Sequence, residues 1–248
     1  MSKNSKVALV TGASRRVGAE IAKLLHAAGF NIVLHYNHSE TDAKQLCEHF
    51  NQQRKDSAVI FQAELSDMAK LEPLISDSVK QWGRLDVLVN NASRFYKTPV
   101  SSANETEWDD LLNSNLKAPF FLSKHAYPHL HKSHGCIVNL TDIHAEKPLE
   151  DYSIYCMSKA GLVMMTKSLA KEFGPDVRVN AVSPGAMIWP EGSNELSEIT
   201  KQKIVNRIAL KRHGEPSDIA QAVLYLVQQA DYVTGQIIAV DGGRNLFM

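Results

Sequence analysis

Tyr155 and Lys159 are the residues whose types and spacing most directly suggest chemistry. They lie four positions apart at the start of a strongly helical stretch, YCMSKAGLVMMTKSLAKEF, and this spacing places both side chains on one helix face. An ammonium group near a phenol stabilises the tyrosinate and lowers the phenol's pKa, so the tyrosine can donate a proton near neutral pH. The pair predicts an acid–base site, although a YxxxK spacing taken alone is usually a solvated helix face.

A glycine-containing turn near the N-terminus predicts a second kind of site. The segment TGASRRVG, residues 11–18, follows an apolar strand and precedes helical sequence, a context that can place a pyrophosphate at a helix N-terminus. Gly12 allows a tight turn and Gly18 lets the helix pack close to the strand, but Arg16 replaces the middle glycine of a dinucleotide fingerprint. The turn alone is a weak signal for dinucleotide binding.

The end of the second strand favours NADPH over NADH. A ribose with a free 2′-hydroxyl usually meets an acid roughly 20 residues beyond the glycine turn, but this region reads His35-Tyr36-Asn37-His38-Ser39 and has no carboxylate before Glu40. Arg15, His38 and Ser39 could donate hydrogen bonds to a 2′-phosphate. The alternative is a solvated turn that lacks an acid by accident.

The elements that must position these residues alternate between strand and helix. The predicted strands are Val7–Thr11, Asn31–Tyr36, Ser57–Ala63, Leu85–Asn90, Cys136–Leu140, Val177–Val182 and Gln236–Val240. The predicted helices are 16–28, 40–53, 67–82, 105–131, 153–173 and 216–229. This βαβα alternation, with strands that are apolar almost throughout, predicts an α/β fold: one Rossmann-type doubly wound domain over 1–248, with a seven-stranded parallel sheet and helices on both faces.

One stretch is too long for an ordinary connection. Residues 184–198 carry Pro, Gly, Ser and Asn without a helix or strand pattern, so we expect a substrate loop or lid near 184–200. The alternative is a variable surface loop.

Composition excludes several classes of partner. Lys+Arg and Asp+Glu balance at 27 each, so no basic footprint points to nucleic acid. No apolar run approaches the roughly 18 residues that span a bilayer, and the polar start MSKNSK does not resemble a signal peptide. We therefore expect no membrane partner and a cytoplasmic location. The three cysteines and the cluster His125, His129, His131 and His134 lack ligand spacing, so we expect free thiols, surface histidines and no metal.

Further motifs carry a resemblance over residues 6 to 244. Asn90-Asn91-Ala92 follows the fourth strand, Asn115 lies in a long helix, Pro184-Gly185 follows the sixth strand, and Val240-Asp241-Gly242-Gly243 comes near the end. With the glycine turn and the YxxxK pair, these motifs make the chain resemble the short-chain dehydrogenase/reductase family. The resemblance implies a Rossmann fold, catalytic Tyr155 and Lys159, a supporting Asn115 and a homotetramer built on the long helices.

One position departs from the family and narrows the resemblance. The serine generally found thirteen residues before the tyrosine is replaced by Asp142. Together with Arg16, Leu34-His35-Tyr36 and the segment ASRFY at 92–96, this makes the chain similar to the pteridine reductase branch. That likeness implies that Phe95 sandwiches a flat pterin against the nicotinamide and that Asp142 and Tyr155 face the reacting ring. Phe95 could instead be a packing aromatic beside Tyr96, and Asp142 could cap a turn.

The candidate site residues, taken from the motifs and from the resemblance, form three sets. The catalytic set is Asp142, Tyr155, Lys159 and Asn115. The cofactor-binding set is Gly12, Arg15, Arg16, Val17, Asn37, His38, Ser39, Leu65, Asn91, Ala92, Ser93, Tyr155, Lys159, Pro184 and Gly185. The substrate-binding set is Arg16, Ser93, Phe95, Asp142 and Tyr155.

These sets predict NADPH-dependent reduction of a pterin or folate substrate, such as dihydrobiopterin, dihydromonapterin or dihydrofolate. A carbonyl reductase of the same fold, such as a 3-oxoacyl-thioester reductase, is the alternative enzyme. A non-catalytic NADP-binding protein is disfavoured because Tyr155 and Lys159 are both present.

Overall fold

The computed structural model describes residues 5–187 and 197–247, and within them seven strands form one parallel sheet. In chain order the strands are β1 (Val7–Val10), β2 (Asn31–Tyr36), β3 (Ala58–Gln62), β4 (Val87–Asn90), β5 (Cys136–Leu140), β6 (Arg178–Pro184) and β7 (Ile237–Val240). Their order across the sheet is β3-β2-β1-β4-β5-β6-β7. The predicted fold class is confirmed: the chain forms a single Rossmann-type domain.

The helices in the described part of the chain cover both faces of this sheet. They are α1 (Arg16–Ala27), α2 (Glu40–Gln53), α3 (Leu71–Trp82), α4 (Glu105–Leu112), α5 (Ala118–Ser133), α6 (Ser153–Phe173), α7 (Glu198–Asn206) and α8 (Pro216–Gln228). Side chains of α1, α2 and α8 pack in one apolar cluster, and those of α3, α5 and α6 pack in the other.

The strands are buried because both faces of the sheet are covered. Val7 and Leu9 pack in the cluster beneath α3, α5 and α6, whereas Ala8 and Val10 pack beneath α1, α2 and α8. Successive side chains of a strand point to opposite faces, so a strand covered on both sides must be apolar throughout. The sequence VALV meets this requirement with no exposed side chain.

The strand order reverses between β1 and β4. The chain moves outward from β1 to β2 and β3 on one side, and from β4 to β7 on the other. In open α/β sheets, ligands bind in the crevice outside the carboxyl ends of the strands at such a reversal. The segments that follow β1 and β4 therefore form the centre of the candidate site.

The structure departs from the predicted helices in three places. The single helix predicted over 105–131 contains a π-helical turn, Asn113–Lys117, between α4 and α5, and such turns recur at functional sites. The helix predicted over 67–82 begins as a short 3₁₀ turn, Met68–Lys70, before α3. Helix α7 was not predicted, and it overlaps the end of the proposed substrate loop, whose residues 188–196 lie outside the described residues.

Candidate active site

The glycine turn after β1 is held against the segment after β4. Gly12 has a positive φ of 62°, a backbone conformation that favours glycine. The Asn91 side-chain amide donates to the backbone carbonyls of Thr11 (2.8 Å) and Gly12 (3.1 Å), and the Thr11 hydroxyl accepts from the Ala92 N–H. The structure thus brings the predicted cofactor-binding residues Gly12, Asn91 and Ala92 together at the sheet reversal.

Gly18 lets α1 approach the turn closely. A Cβ atom at this position would lie 2.2 Å from the Gly12 carbonyl oxygen, so any larger residue must displace backbone. Arg16 stands where the fingerprint has its middle glycine and has a positive φ of 52°. A non-glycine residue in this region carries backbone strain, and such strain clusters at functional sites. Val17, also predicted to bind cofactor, lies half-buried in the first turn of α1.

We expect Gly18→Ala to weaken NADPH binding at least about fivefold, because the new methyl group forces the turn and α1 apart at a cost of about 1–3 kcal/mol. Fluorescence titration with NADPH and the Tm of the variant measure the effect. Gly161→Ala is the control, since its methyl group would meet only the flexible Leu116 side chain. An affinity that Gly18→Ala leaves unchanged would contradict the assigned role of the turn.

His35 connects the ends of three strands, a role that the sequence did not indicate. Its Nδ1 accepts from the Gly12 N–H (3.1 Å) and its Nε2 donates to the Ala63 carbonyl (3.0 Å). Burial lowers the pKa of His35 to about 4, against an opposing contribution from the bond to Ala63. The imidazole is therefore neutral at physiological pH and can accept the Gly12 hydrogen bond.

The end of β2 holds the residues predicted to meet a 2′-phosphate. Arg15 is exposed and forms an ion pair with Asp42 at 3.6 Å. The Asn37 side-chain nitrogen lies 3.1 Å from His38 Nε2, and Ser39 precedes α2 without a side-chain cap. The region therefore offers hydrogen-bond donors to a phosphate, but Asp42 competes with a phosphate for Arg15.

The residues predicted at the outer parts of the cofactor crevice lie at the carboxyl ends of other strands. Leu65 is buried after β3. Pro184 ends β6, and Gly185 follows it with its N–H bonded to the Val240 carbonyl (3.0 Å). A Cβ atom at Gly185 would lie 2.7 Å from Asp241 Cα, so a glycine is needed for this close approach.

Asp142 and Tyr155 form a direct hydrogen bond. Asp142 follows β5, Tyr155 lies in the first turn of α6, and the Tyr155 hydroxyl donates to Asp142 Oδ2 at 2.7 Å. The other carboxylate oxygen of Asp142 accepts from the His144 N–H at 2.8 Å and caps a short 3₁₀ turn, Ile143–Ala145. Asp142 is thus both a cap and a partner of the predicted proton donor.

Lys159 lies one helical turn beyond Tyr155 and is buried. Its ammonium donates to the Leu140 carbonyl at 2.9 Å and lies 5.7 Å from the centre of the Tyr155 ring. Burial lowers the pKa of Lys159 to about 8, and the charge of Asp142 opposes this change. The structure therefore brings the three predicted catalytic side chains Asp142, Tyr155 and Lys159 into one cluster.

The expectation that Lys159 lowers the pKa of Tyr155 is wrong. Burial, followed by the charge and hydrogen bond of Asp142, raises the pKa of Tyr155 well above its ordinary value. The reason is geometric, because the Asp142 carboxylate accepts a hydrogen bond from the Tyr155 hydroxyl, whereas the Lys159 ammonium lies over the ring. Tyr155 is consequently a neutral phenol across the physiological pH range.

Asn115 lies in the π-helical turn and is fully hydrogen-bonded. Its Oδ1 accepts from the Ser93 hydroxyl (3.1 Å) and the Arg94 N–H (2.8 Å), while its Nδ2 donates to the Arg94 carbonyl (2.9 Å) and the Ser158 hydroxyl (3.1 Å). These contacts use its four hydrogen-bonding positions. In this arrangement Asn115 ties the segment after β4 to α6, and its hydrogen bonds go to neither Tyr155 nor Lys159.

Phe95 lies beside the catalytic cluster and is 39% exposed. Its ring stacks on Tyr152 with centroids 4.5 Å apart and meets the edge of Tyr155 at 4.8 Å. Tyr96, the alternative packing partner for Phe95, donates a hydrogen bond to Asp110 instead. Phe95 therefore presents an aromatic surface close to the phenol of Tyr155, with Ser93 exposed two residues before it.

Two of the four clustered histidines, at the end of α5, pair with an acidic side chain. His131 and His134 lie 3.2 Å and 3.6 Å from the Asp176 carboxylate. Within residues 5–187 and 197–247, no group of three or more His, Cys, Asp or Glu side chains is arranged to hold a metal. In the same part of the chain, no helix has the length and apolar character needed to cross a bilayer.

The turn and strand ends fit a dinucleotide. A Cβ atom at Gly12 would lie 3.1 Å from Ala92 Cα, so the glycine leaves space at the reversal of the sheet, and α1 begins there without a side-chain cap. A helix N-terminus of this kind attracts a phosphate anion. Fold and site together define a Rossmann-type oxidoreductase.

Comparisons with known proteins agree with this class. A family model described as enoyl-(acyl carrier protein) reductase matches residues 12–245. A 3-oxoacyl-[acyl-carrier-protein] reductase of Staphylococcus aureus is 37% identical, over 97% of this chain and 98% of its own length. Pteridine reductase 1 of Leishmania tarentolae is 34% identical, over 99% and 98%. A putative ketoacyl reductase 2 of the granaticin polyketide synthase of Streptomyces violaceoruber is 35% identical, over 97% and 96%.

The chain belongs to the short-chain dehydrogenase/reductase family. It is an oxidoreductase with NADPH as its cofactor. The comparisons support the two enzyme classes weighed from the sequence to a similar degree, since the 3-oxoacyl reductase and the pteridine reductase match with near-equal identity and coverage.

Proposed function

We propose that this enzyme reduces a dihydropterin to a tetrahydropterin. The observation that carries the proposal is the 2.7 Å hydrogen bond from the Tyr155 hydroxyl to Asp142. An ionised carboxylate has only acceptors and cannot donate to a ketone oxygen, whereas it can accept a proton and pass it to a ring nitrogen. A carboxyl–phenol pair therefore suits a C=N bond in a heterocycle better than it suits a simple carbonyl.

The aromatic surface of Phe95 supports the same substrate class. A planar heterocycle gains from stacking on an aromatic ring, and Phe95 exposes its ring 4.8 Å from that of Tyr155. A bound pterin would thus have a stacking surface and a proton donor side by side. The resemblance to the pteridine reductase branch implies that Arg16 and Ser93 contact the pterin and the cofactor phosphates, and the proposal includes these contacts.

The protein's own residues account for the proton. The chemistry supplied by bound NADPH is hydride donation to a carbon of the C=N bond. Tyr155 and Asp142 act as one proton-sharing unit: the Tyr155 hydroxyl, which is hydrogen-bonded to Asp142, gives its proton to the neighbouring ring nitrogen, and a proton from solvent then replaces it. Lys159, fixed by the Leu140 carbonyl, supplies positive charge that opposes the negative charge of the pair.

The second candidate is reduction of a 3-oxoacyl thioester. It is favoured by the 37% identity with the Staphylococcus aureus 3-oxoacyl-[acyl-carrier-protein] reductase. Asp142 disfavours it, since a ketone oxygen is better held by two hydroxyl donors. A non-catalytic NADP-binding role is disfavoured by the assembled cluster of Asp142, Tyr155 and Lys159.

A substrate panel separates these candidates. Dihydrobiopterin, dihydromonapterin, dihydrofolate and an acetoacetyl thioester are each supplied with NADPH, and oxidation is followed by absorbance. We expect turnover of at least one dihydropterin with kcat/KM well above that for the thioester. Preferential turnover of the thioester would instead establish the carbonyl reductase, and no turnover of any substrate would favour the binding protein.

We expect NADPH to be preferred over NADH by at least about tenfold in kcat/KM, because a charge-assisted hydrogen bond to the 2′-phosphate contributes about 1.5–3 kcal/mol. The exposure of Arg15 and its ion pair with Asp42 keep the expected preference from being larger. Steady-state kinetics with both cofactors measures it, and Asp42→Asn should increase it by freeing Arg15. Equal efficiencies with the two cofactors would reject the assigned phosphate site.

Assembly and location complete the proposal. A homotetramer built on the long helices is supported by apolar side chains that α5 and α6 expose, namely Phe120, Met157 and Met164. A cytoplasmic location is supported by the three free cysteines, since such compartments keep thiols reduced. The stretch near 184–200 remains the proposed substrate loop.

A further inference from the structure

Arg94 belongs to the segment that carries Ser93 and Phe95, but its own side chain points to other partners. The guanidinium NH2 group lies 2.9 Å from Glu64 Oε2, and its NH1 group contacts the Asp110 carboxylate. Glu64 follows β3, whereas Asp110 lies on α4. One cation therefore joins two elements that are far apart in the sequence.

Glu64 is itself held firmly in place. The Asn37 side-chain amide donates to its Oε2 at 2.6 Å, and the Ser66 N–H and hydroxyl donate to its Oε1 at 3.1 Å and 2.9 Å. Burial acts to raise the pKa of Glu64, but the hydrogen bonds from Ser66 and Asn37 and the charge of Arg94 outweigh it and lower the pKa. Glu64 is therefore a charged, fixed anchor at the end of the sheet.

Asp110 is anchored on the opposite side. The Tyr96 hydroxyl donates to Asp110 Oδ2 at 2.9 Å, so the segment contacts Asp110 through both Arg94 and Tyr96. Arg94, Glu64 and Asp110 have side chains only 33%, 29% and 26% exposed, which makes their pairing less screened than that of a typical surface salt bridge.

The backbone of Arg94 is fixed as well. Its N–H donates to Asn115 Oδ1, and its carbonyl accepts from Asn115 Nδ2. Side chain and backbone of one residue thus attach the segment to the end of β3, to α4 and to the π-helical turn. Phe95 is the next residue, so these contacts of Arg94 also hold Phe95 against Tyr152 and Tyr155.

We propose that Arg94 is a positioning residue for the substrate: clamped between Glu64 and Asp110, it fixes the segment 93–96 so that Phe95 lies beside Tyr155. Arg94 acts through Phe95 and not by contact with the reacting atoms, because its guanidinium is occupied by two carboxylates. Asn37, a predicted cofactor residue, shares Glu64 with Arg94, so the clamp also joins the cofactor and substrate sides of the crevice. The substrate part of this proposal rests on the proposed function, whereas the clamp itself does not.

Hydrogen exchange tests the clamp without any ligand. In Arg94→Met we expect backbone amides of residues 93–98 to exchange at least about fivefold faster, since local opening requires fewer interactions to break. Arg84→Met is the matched control, because Arg84 is 34% exposed and pairs with one buried carboxylate, Asp86, away from the site. It should leave exchange in residues 93–98 unchanged. Unchanged exchange in Arg94→Met would overturn the clamp, whatever the substrate proves to be.

Kinetics on the substrate identified by the panel test the positioning role. We expect Arg94→Met to raise the KM for that substrate at least about fivefold while kcat changes less than about threefold. NADPH affinity, measured by fluorescence, should change less than the KM, because Asn37 keeps its own hydrogen bond to Glu64. Arg94→Lys should recover part of the loss, because an ammonium can satisfy one carboxylate but lacks the planar fork that reaches both.

Two outcomes would reject the positioning role even with an altered clamp. One is a KM equal to that of the unmodified enzyme despite faster exchange, and the other is a KM raised equally by Arg84→Met, which would indicate a general loss of stability. If Arg94→Met does not fold, Arg94→Lys and Glu64→Gln carry the same measurements, and unchanged exchange and KM in both would reject the proposal.

Discussion

Replacing Tyr155 with Phe is expected to lower kcat about 10²–10⁴-fold, the range typical of a lost general acid. The ring is buried and edge-packed against Phe95, so Phe retains the packing and removes only the hydroxyl. That hydroxyl donates a hydrogen bond to Asp142 at 2.7 Å. Its loss removes both the proton that Tyr155 would donate and the hydrogen-bond partner of the Asp142 carboxylate. Single-turnover kinetics with saturating NADPH measures the chemical step directly.

The controls for Tyr155→Phe separate chemistry from binding. NADPH affinity should stay within about threefold of the unmodified enzyme, since the other predicted cofactor-binding residues, such as Gly12 and Asn91, are unchanged. Tyr152→Phe removes a hydroxyl from the neighbouring ring that stacks on Phe95 and should leave kcat within about threefold. If Tyr155→Phe kept more than about a third of the kcat with chemistry rate-limiting, the proton-donor role would be wrong.

The fold could be predicted closely because its signals are local. β2 and β5 have the predicted bounds, and the other strands differ by one or two residues at either end. A strand buried on both faces must be apolar throughout, so a continuous apolar run such as VALV is enough to predict one. Helix α7 was missed because EITKQKIVN buries no residue and therefore has no apolar face to produce a periodic pattern.

The part of the site that could be predicted consists of chemically suitable residues at or near the carboxyl ends of strands. Gly12, Asn91 and Asp142 follow strands, so the carboxyl-end rule brings them to one edge of the sheet. Tyr155 lies in the first turn of α6 beside them, and Lys159 lies one turn further along the same helix. What could not be predicted was which atoms meet. The raised pKa of Tyr155 depends on a hydrogen bond across 13 positions and on burial, and neither is visible in a YxxxK spacing.

The clamp around Arg94 is another set of contacts that could not be predicted from the sequence. Its partners Glu64 and Asp110 lie 30 and 16 residues away in the sequence, and no local pattern joins them. A weaker signal was available, because a carboxylate directly after β3 lies at the same edge of the sheet as the segment after β4. That rule places Glu64 near Arg94 but cannot select Asp110 on α4.

Asp142→Ser is expected to lower kcat/KM for the dihydropterin roughly 10²-fold or more, while simple carbonyl substrates are spared or improved. The change removes one acid contact and leaves ring nitrogens and the Tyr155 hydroxyl without their partner in a buried site. A serine hydroxyl can donate to a ketone oxygen where a carboxylate cannot. The variant therefore restores the arrangement that is general in the family and should move the substrate preference towards carbonyls.

The structure makes this substitution a clean test, because Asp142 uses its two oxygens differently. Oδ1 caps the turn at His144 and Oδ2 accepts from Tyr155. Serine caps about as well as aspartate, so Asp142→Ser should keep the cap and the Tm while it removes the carboxylate opposite the phenol. Asp142→Ala removes both and should lower the Tm as well, by the loss of a cap contribution of about 1 kcal/mol. If Asp142→Ser left both the Tm and dihydropterin reduction unchanged, the cap would be the only role of Asp142, and the principal argument for a pterin substrate over a 3-oxoacyl thioester would be lost.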